Sequence, residues 1–177
     1  MPEFQISRRP ALSDKQPVTG PGIEISTPPP GAILHALAQP GDAGARGFIE
    51  SALMSDIFSI RPVSPGQWFS VADDPLSHAD FRNLCEALEP RVDLVDQSHG
   101  RTRIIVQGPQ VEAMLAKGTA IDLHIDQFTV GSAASTLIGH VSAHLTRTGE
   151  HRFEILVLRS FAENMWDDLV RMSREFN

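Results

Sequence analysis

The chain has 177 residues, 41% of them hydrophobic and 21% charged, which suits a globular protein with one full-sized core. Its formal net charge of −7 and its scattered Lys and Arg argue against nucleic-acid binding, which needs clustered cations to neutralise phosphates. A single cysteine, Cys85, excludes an internal disulfide framework, argues against a multi-thiolate zinc site, and fits a reducing compartment.

Met1 is followed by Pro2 and Glu3, without the basic start and apolar run of a secretory signal. No apolar stretch approaches the ~20 residues that span a bilayer. The expected location is cytoplasmic, with no membrane contact. Residues 1–52 form a Pro/Gly-rich N-terminal arm. Most of the prolines fall there, including Pro28-Pro29-Pro30, together with Gly20, Gly22, Gly31, Gly41, Gly44 and Gly47. Such a segment favours extended and turn conformations, with a short helical piece around Ile33 to Leu37. Composition leaves two readings open, a flexible tail and an arm that orders against a partner.

Residues 53–177 are expected to be a single α+β domain. Ile57, Phe58 and Ile60 suggest a first strand, and Trp68 to Val71 a second after the Pro65-Gly66 turn. A helix follows with Ser77 as N-cap, Asp80 three residues on, and Leu76 and Phe81 at the hydrophobic-staple positions. Phe81, Leu84, Cys85 and Leu88 make its apolar face, where a thiol stays protonated and inert, and Pro90 stops it. Val92 to Val95 and Thr102 to Val106 read as strands around the turn Ser98-His99-Gly100.

Gly108-Pro109 opens a short helix with proline at N1; Val111, Met114 and Leu115 line one face and Gly118 closes it at C′. Lys117 then sits at the negative end of that helix dipole. Residues 121–131 are irregular. A long hairpin is expected from Thr136 to Thr146 and Arg152 to Leu158 around Thr148-Gly149. The last helix takes Ser160 as N-cap, buries Phe161, Met165, Trp166, Leu169 and Met172, and offers Asp167/Arg171 and Arg171/Glu175 as ion pairs. Paired strands followed by helices indicate a mixed, largely antiparallel sheet with helices packed on it. No Gly-rich loop joins a strand to a helix, so no nucleotide fingerprint is present.

Several side chains invite a chemical reading. His140 and His144 would suit a metal on a helix, but on a strand they lie ~13 Å apart on the more polar face, which points to a surface meeting a partner. His124, between Asp122 and Asp126, has the form of a base oriented by a carboxylate, but no nucleophile or cofactor motif accompanies it. Arg159-Ser160 is the best anion candidate, an arginine ending a strand beside a helix cap; an intramolecular or inter-subunit contact is the favoured reading over a small-molecule ligand.

Several blocks, in order, resemble the gamma subunit family of heterotetrameric sarcosine oxidases. They are Gly66-Gln67-Trp68; Gly100-Arg101-Thr102 with Ile104, Val106 and Gly108-Pro109; Leu115-Ala116-Lys117-Gly118 with Ile121-Asp122-Leu123-His124; Phe128 and Gly131; and Val157-Leu158-Arg159-Ser160-Phe161-Ala162 with Trp166-Asp167 and Leu169. The resemblance covers about residues 55–175 and little of the arm. It implies a fold like the folate-binding region of glycine-cleavage T-protein aminomethyltransferases. It also implies a non-catalytic subunit, partnered by alpha, beta and delta subunits, in a complex that oxidatively demethylates sarcosine to glycine. FAD, FMN, NAD, folate and zinc would sit in the partner subunits and none in this chain. Lys117, Asp122, His124, His140, His144, Arg159, Ser160 and Trp166 become structural or subunit-contact candidates rather than catalytic, cofactor or metal residues. The competing expectations are a sister complex acting on dimethylglycine or N-methylglutamate, and a free-standing folate-binding or aminomethyl-transfer protein.

Overall fold

The computed structural model describes residues 9–53 and 56–177. Residues 1–8 of the expected arm, with the Met1-Pro2-Glu3 start, and residues 54–55 beside the expected boundary lie outside the described residues. In chain order the elements are β1 (Val18–Thr19), β2 (Glu24–Ser26), β3 (Ile33–Ala38), α1 (Ala45–Ala52), β4 (Ser59–Ser64), β5 (Gln67–Val71) and α2 (His78–Leu88). There follow β6 (Val92–Asp96), β7 (Arg101–Gln107), α3 (Val111–Leu115), β8 (Ala133–Ile138), β9 (Val141–Gly149), β10 (Arg152–Leu158), a 3-10 turn (Arg159–Phe161) and α4 (Ala162–Ser173).

The strands divide into two sheets, one of six strands ordered β1-β2-β7-β10-β9-β8 and one of four ordered β4-β5-β3-β6. The fold is α+β, as expected, and every pairing among the described residues is antiparallel. Strand alternation sends side chains to opposite faces and builds four layers. Ile104, Val106, Leu145, Phe153, Ile155 and Val157 meet Met114 and Leu115 of α3 and Met165, Trp166 and Leu169 of α4 in one core. Leu34, Ala36 and Val92 meet Ile49 of α1 and Leu88 of α2 in a second. Between the sheets, Ile33, Phe69, Val71 and Leu156 form a smaller third cluster. The neighbouring strands β9 and β10 are therefore covered on both faces, and residues 143–147 and 153–157 are buried without a break. Each large apolar side chain buried this way contributes ~1.5–3 kcal/mol.

The cap of α2 forms as its residues require: Ser77 Oγ accepts the Asp80 N–H at 3.1 Å, and Leu76 and Phe81 pack together on the second core. Other expectations give way to tertiary contacts. The described part of the 1–52 segment is not an arm. It supplies β1 and β2 to the large sheet, β3 to the middle of the small sheet, and α1 to the helix layer. Pro28-Pro29-Pro30, which offer no N–H to a ladder, carry the chain from one sheet to the other. The segment from Ile33 to Leu37 is strand, not helix, because it pairs with both β5 and β6.

The strands β6 and β7 are not hairpin partners, since β6 pairs with β3 and β7 with β2 and β10; residues 97–100 link the two sheets. The expected long strand from Thr136 is broken into β8 and β9 by a tight turn at Gly139, whose φ of +59° suits glycine. Gly118 lies outside the set of positive-φ glycines and is not a left-handed C′. Its carbonyl accepts the Gly139 N–H at 2.8 Å, and a Cβ there would meet Ile138, Met172 and Gly139 within 3.3 Å. Space rather than backbone conformation favours glycine here. Pro109 precedes the N-cap Gln110 rather than occupying N1. No helix among the described residues is long and apolar enough to cross a membrane.

Candidate functional site

A cluster of buried charged side chains lies in the seam between the sheets. Glu154 of β10 is 2% exposed and faces the small sheet. It accepts Nη1 and Nη2 of Arg61 (β4) at 3.1 and 3.2 Å, and Nε and Nη2 of Arg103 (β7) at 2.7 and 3.1 Å. Arg103 also donates to the Ala72 carbonyl at 3.2 Å and to Asp73 at 2.7 Å, tying the large sheet to the end of β5. Burial opposes ionisation of Glu154, but the hydrogen bonds and charges of Arg103 and Arg61 outweigh it and hold its carboxyl below the usual range. All its acceptor capacity is spent on guanidinium groups, so this carboxylate clamps the layers and does not relay protons.

Above Leu156, Phe69 is ringed by three cationic or titratable groups: His35 at 4.9 Å, His144 edge-on at 5.1 Å, and the Arg101 guanidinium 4.5 Å over its face. His144 is buried and its Nε2 lies 2.8 Å from the Pro62 carbonyl, which only accepts; Nε2 therefore carries the proton. Burial first, then the charges of Arg61 and Arg101, push its pKa down, and Nδ1 has no partner among the described residues. His35 is also pushed down by burial. Both rings sit neutral in the seam. A groove of about 610 Å³ runs beside Arg61, Arg103, Thr146 and Glu154 and opens between Asp73, Asp74, Ile57 and Val130.

The residues singled out from sequence are scattered over the molecule. Lys117 donates to the Met172 carbonyl at 3.0 Å, pairs with Glu175 at 2.8 Å and stacks 4.4 Å over Phe176. It therefore serves the end of α4 as well as that of α3. Asp122 accepts the His124 N–H at 3.0 Å, and His124 Nδ1 lies 3.4 Å from the Asp126 N–H, with the imidazole 63% exposed. These contacts shape a surface loop. His140 is exposed in the β8–β9 turn, while His144 is sealed in the seam, so the two do not share an accessible face. The added turn at Gly139 shifts the alternation that placed them together.

Arg159 reaches the Arg9 carbonyl and lines a second groove, of about 790 Å³, with His99 and Ser160. Ser160 is not the cap; it lies within the 3-10 turn, and the N-cap of α4 is Phe161, which is 46% exposed rather than buried. Trp166 is core. Along α4 the expected ion pairs are replaced by Arg171–Asp168, with Asp167 taken by Lys15 and Glu175 by Lys117.

Sequence reasoning missed Arg61, Arg103, Glu154 and Arg147. Arg147 is fully buried; its Nη1 donates to the Leu123 and Phe128 carbonyls at 2.8 and 2.9 Å, and its Nη2 pairs with Glu112. It anchors both ends of the His124 loop. The available signal was a single charge inside an apolar strand run, as in Phe153-Glu154-Ile155-Leu156-Val157, since such charges are buried only when paired.

A family model for the GCVT N-terminal domain matches residues 50–177. The chain belongs to that family. The GCVT match begins at the end of α1, so β1 to β3 lie before it. A sarcosine oxidase subunit gamma from Corynebacterium sp. (strain U-96) is 32% identical over 84 residues, covering 48% of this chain and 41% of that protein. The aligned stretch thus spans less than half of that relative. A chain of the heterotetrameric sarcosine oxidase from Corynebacterium sp. U-96, solved with pyrrole 2-carboxylate, superposes with a TM-score of 0.84 at 22% identity over 96% of both chains. The fold, including the strands before residue 50, is shared throughout. The glycine cleavage system aminomethyltransferase T of Bartonella henselae superposes with a TM-score of 0.59 at 17% identity, over 82% of this chain and 45% of its own. The likeness to the T-protein fold holds.

Proposed function

We propose that this chain is the gamma subunit of a sarcosine oxidase-type complex and builds the assembly without performing its chemistry. The observation that supports this most is the fold match along 96% of both chains with a heterotetrameric sarcosine oxidase chain, together with 32% identity to a gamma subunit. The interior points the same way, because its buried charges are spent on one another. In this reading the partners are alpha, beta and delta subunits. The complex oxidises sarcosine to glycine, releasing hydrogen peroxide and formaldehyde, or methylenetetrahydrofolate when folate is present. FAD, FMN, NAD, folate and zinc reside in the partners, and the complex works in the cytoplasm.

The test is co-expression of the full chain with the other subunits encoded beside it. Co-purification in one complex, with sarcosine-dependent peroxide release, is the expected result. A chain that stays monomeric and unassociated would refute it. Preference of the assembled complex for dimethylglycine or N-methylglutamate would assign it to a sister enzyme, and a calorimetric signal from tetrahydrofolate with the chain alone would favour a free-standing folate-binding protein.

A further inference from the structure

We propose that the groove beside Glu154 receives a basic, extended segment of a partner subunit. This rests on the reading of the chain as a gamma subunit. The volume, about 610 Å³, lies in the ~300–1,000 Å³ range of sites that enclose a ligand-sized group. Its floor is already neutral: Arg61 and Arg103 share Glu154, Arg103 also holds Asp73, and Arg147 is committed to Glu112 behind the groove.

The mouth is different. Asp56 and Asp74 are exposed and have no ion-pair partner among the described residues, and the Asp73 carboxylate is 88% exposed despite its bond to Arg103. With Asp73 set against Arg103, Arg152, which gives one N–H to Thr148, offsets one of the two remaining carboxylates, and the mouth keeps one net negative charge. Ile57 and Val130, 56% and 55% exposed, stand at the same opening. Carboxylates beside solvent-facing aliphatic side chains fit a chain segment that presents a lysine or arginine next to apolar residues.

The floor holds one more sign of an occupant. Thr146 is 3% exposed, lines the groove, and its Oγ1 has no partner among the described residues. Pairing of β9 with β10 sets Thr146 directly opposite Glu154, on the face turned to the small sheet. A buried hydroxyl left unpaired is unfavourable, and a backbone group of an inserted segment would satisfy it.

Three variants of the full chain, each co-expressed with the other subunits, test the proposal. Asp56→Lys/Asp74→Lys reverses the mouth; Ile57→Ser/Val130→Ser removes its apolar rim; Glu163→Lys places one such charge reversal in the other groove, which Glu163 lines. The first two are expected to weaken assembly at least tenfold, more at low salt for the lysine pair, with Glu163→Lys unchanged. Thr146→Val is expected to raise the thermal midpoint of the chain alone while weakening assembly several-fold, a split that a purely internal role would not produce. Wild-type-like assembly by the first two variants, with unchanged unfolding curves, overturns the groove proposal and leaves the subunit reading intact. Failure of the wild-type chain to assemble overturns both.

Discussion

Glu154→Gln removes one charge from the seam and keeps its shape. Two guanidinium groups, Arg61 and Arg103, 4% and 9% exposed, then face an amide that satisfies at most part of the four bonds the carboxylate accepts. Breaking a buried pair by deleting one partner costs ~3–5 kcal/mol, because the remaining charge stays buried. That is a large share of a total stability of ~5–15 kcal/mol. With an m-value toward the top of the ~1–3 kcal/mol/M range, the urea midpoint at neutral pH falls by roughly 1–2 M. The companion variant replaces the whole triad, Arg61→Met/Arg103→Met/Glu154→Leu. It leaves no buried charge behind, and Asp73 keeps its solvation, so it is expected to lose less than Glu154→Gln does. A Glu154→Gln protein within ~0.5 kcal/mol of wild type, or a triple variant less stable than the single one, would refute the clamp.

The seam histidines set a pH dependence. His35 and His144 are held neutral below their unfolded value near 6.5, so the unfolded chain binds more protons; stability is full above pH ~6.5 and declines as pH falls below it. Glu154 adds a second loss below its ordinary value of 4.5, and equilibrium unfolding from pH 8 to 4 should show the first decline flattened in His144→Phe. Arg147→Ala strands the Leu123 and Phe128 carbonyls and leaves Glu112 without its cation; a loss of more than ~3 kcal/mol is expected, with faster amide exchange across 121–131 as its local signature. Lys117→Ala should cost only ~1 kcal/mol, because its partner Glu175 is mostly exposed, and the loss should appear as fraying of the last turn of α4 in amide exchange.

Local rules were sufficient where one stretch decides its own structure. The α2 cap, the apolar stripes of α3 and α4, and the strands of β5, β7 and β10 were all readable from spacing and turn residues. What failed depended on distant partners. Leu34 and Ala36 read as part of a short helical piece until β5 and β6 flank them. Gly139-His140 lies inside a continuous alternating run, and nothing nearby announces the turn except the glycine itself. Glu154 and Arg61 are 93 residues apart, so their pairing is invisible to any local pattern. The site followed the same division: Lys117, Asp122 and His124 stood out because they cluster in sequence, whereas the residues that join the layers cluster only in space.

The placement of strands along the chain bears on how the protein is made. All four strands of the small sheet, with α1 and α2, come from residues 33–96 and can pair as soon as that stretch leaves the ribosome. The large sheet cannot close until β10 has been made, because β7 must take β2 from one side and β10 from the other. During that interval Phe69 and the Arg61 guanidinium face outward, uncovered, awaiting Glu154. A nascent chain stalled before residue 150 should therefore expose an aromatic, cationic surface, and holdase capture is expected to end once β10 emerges.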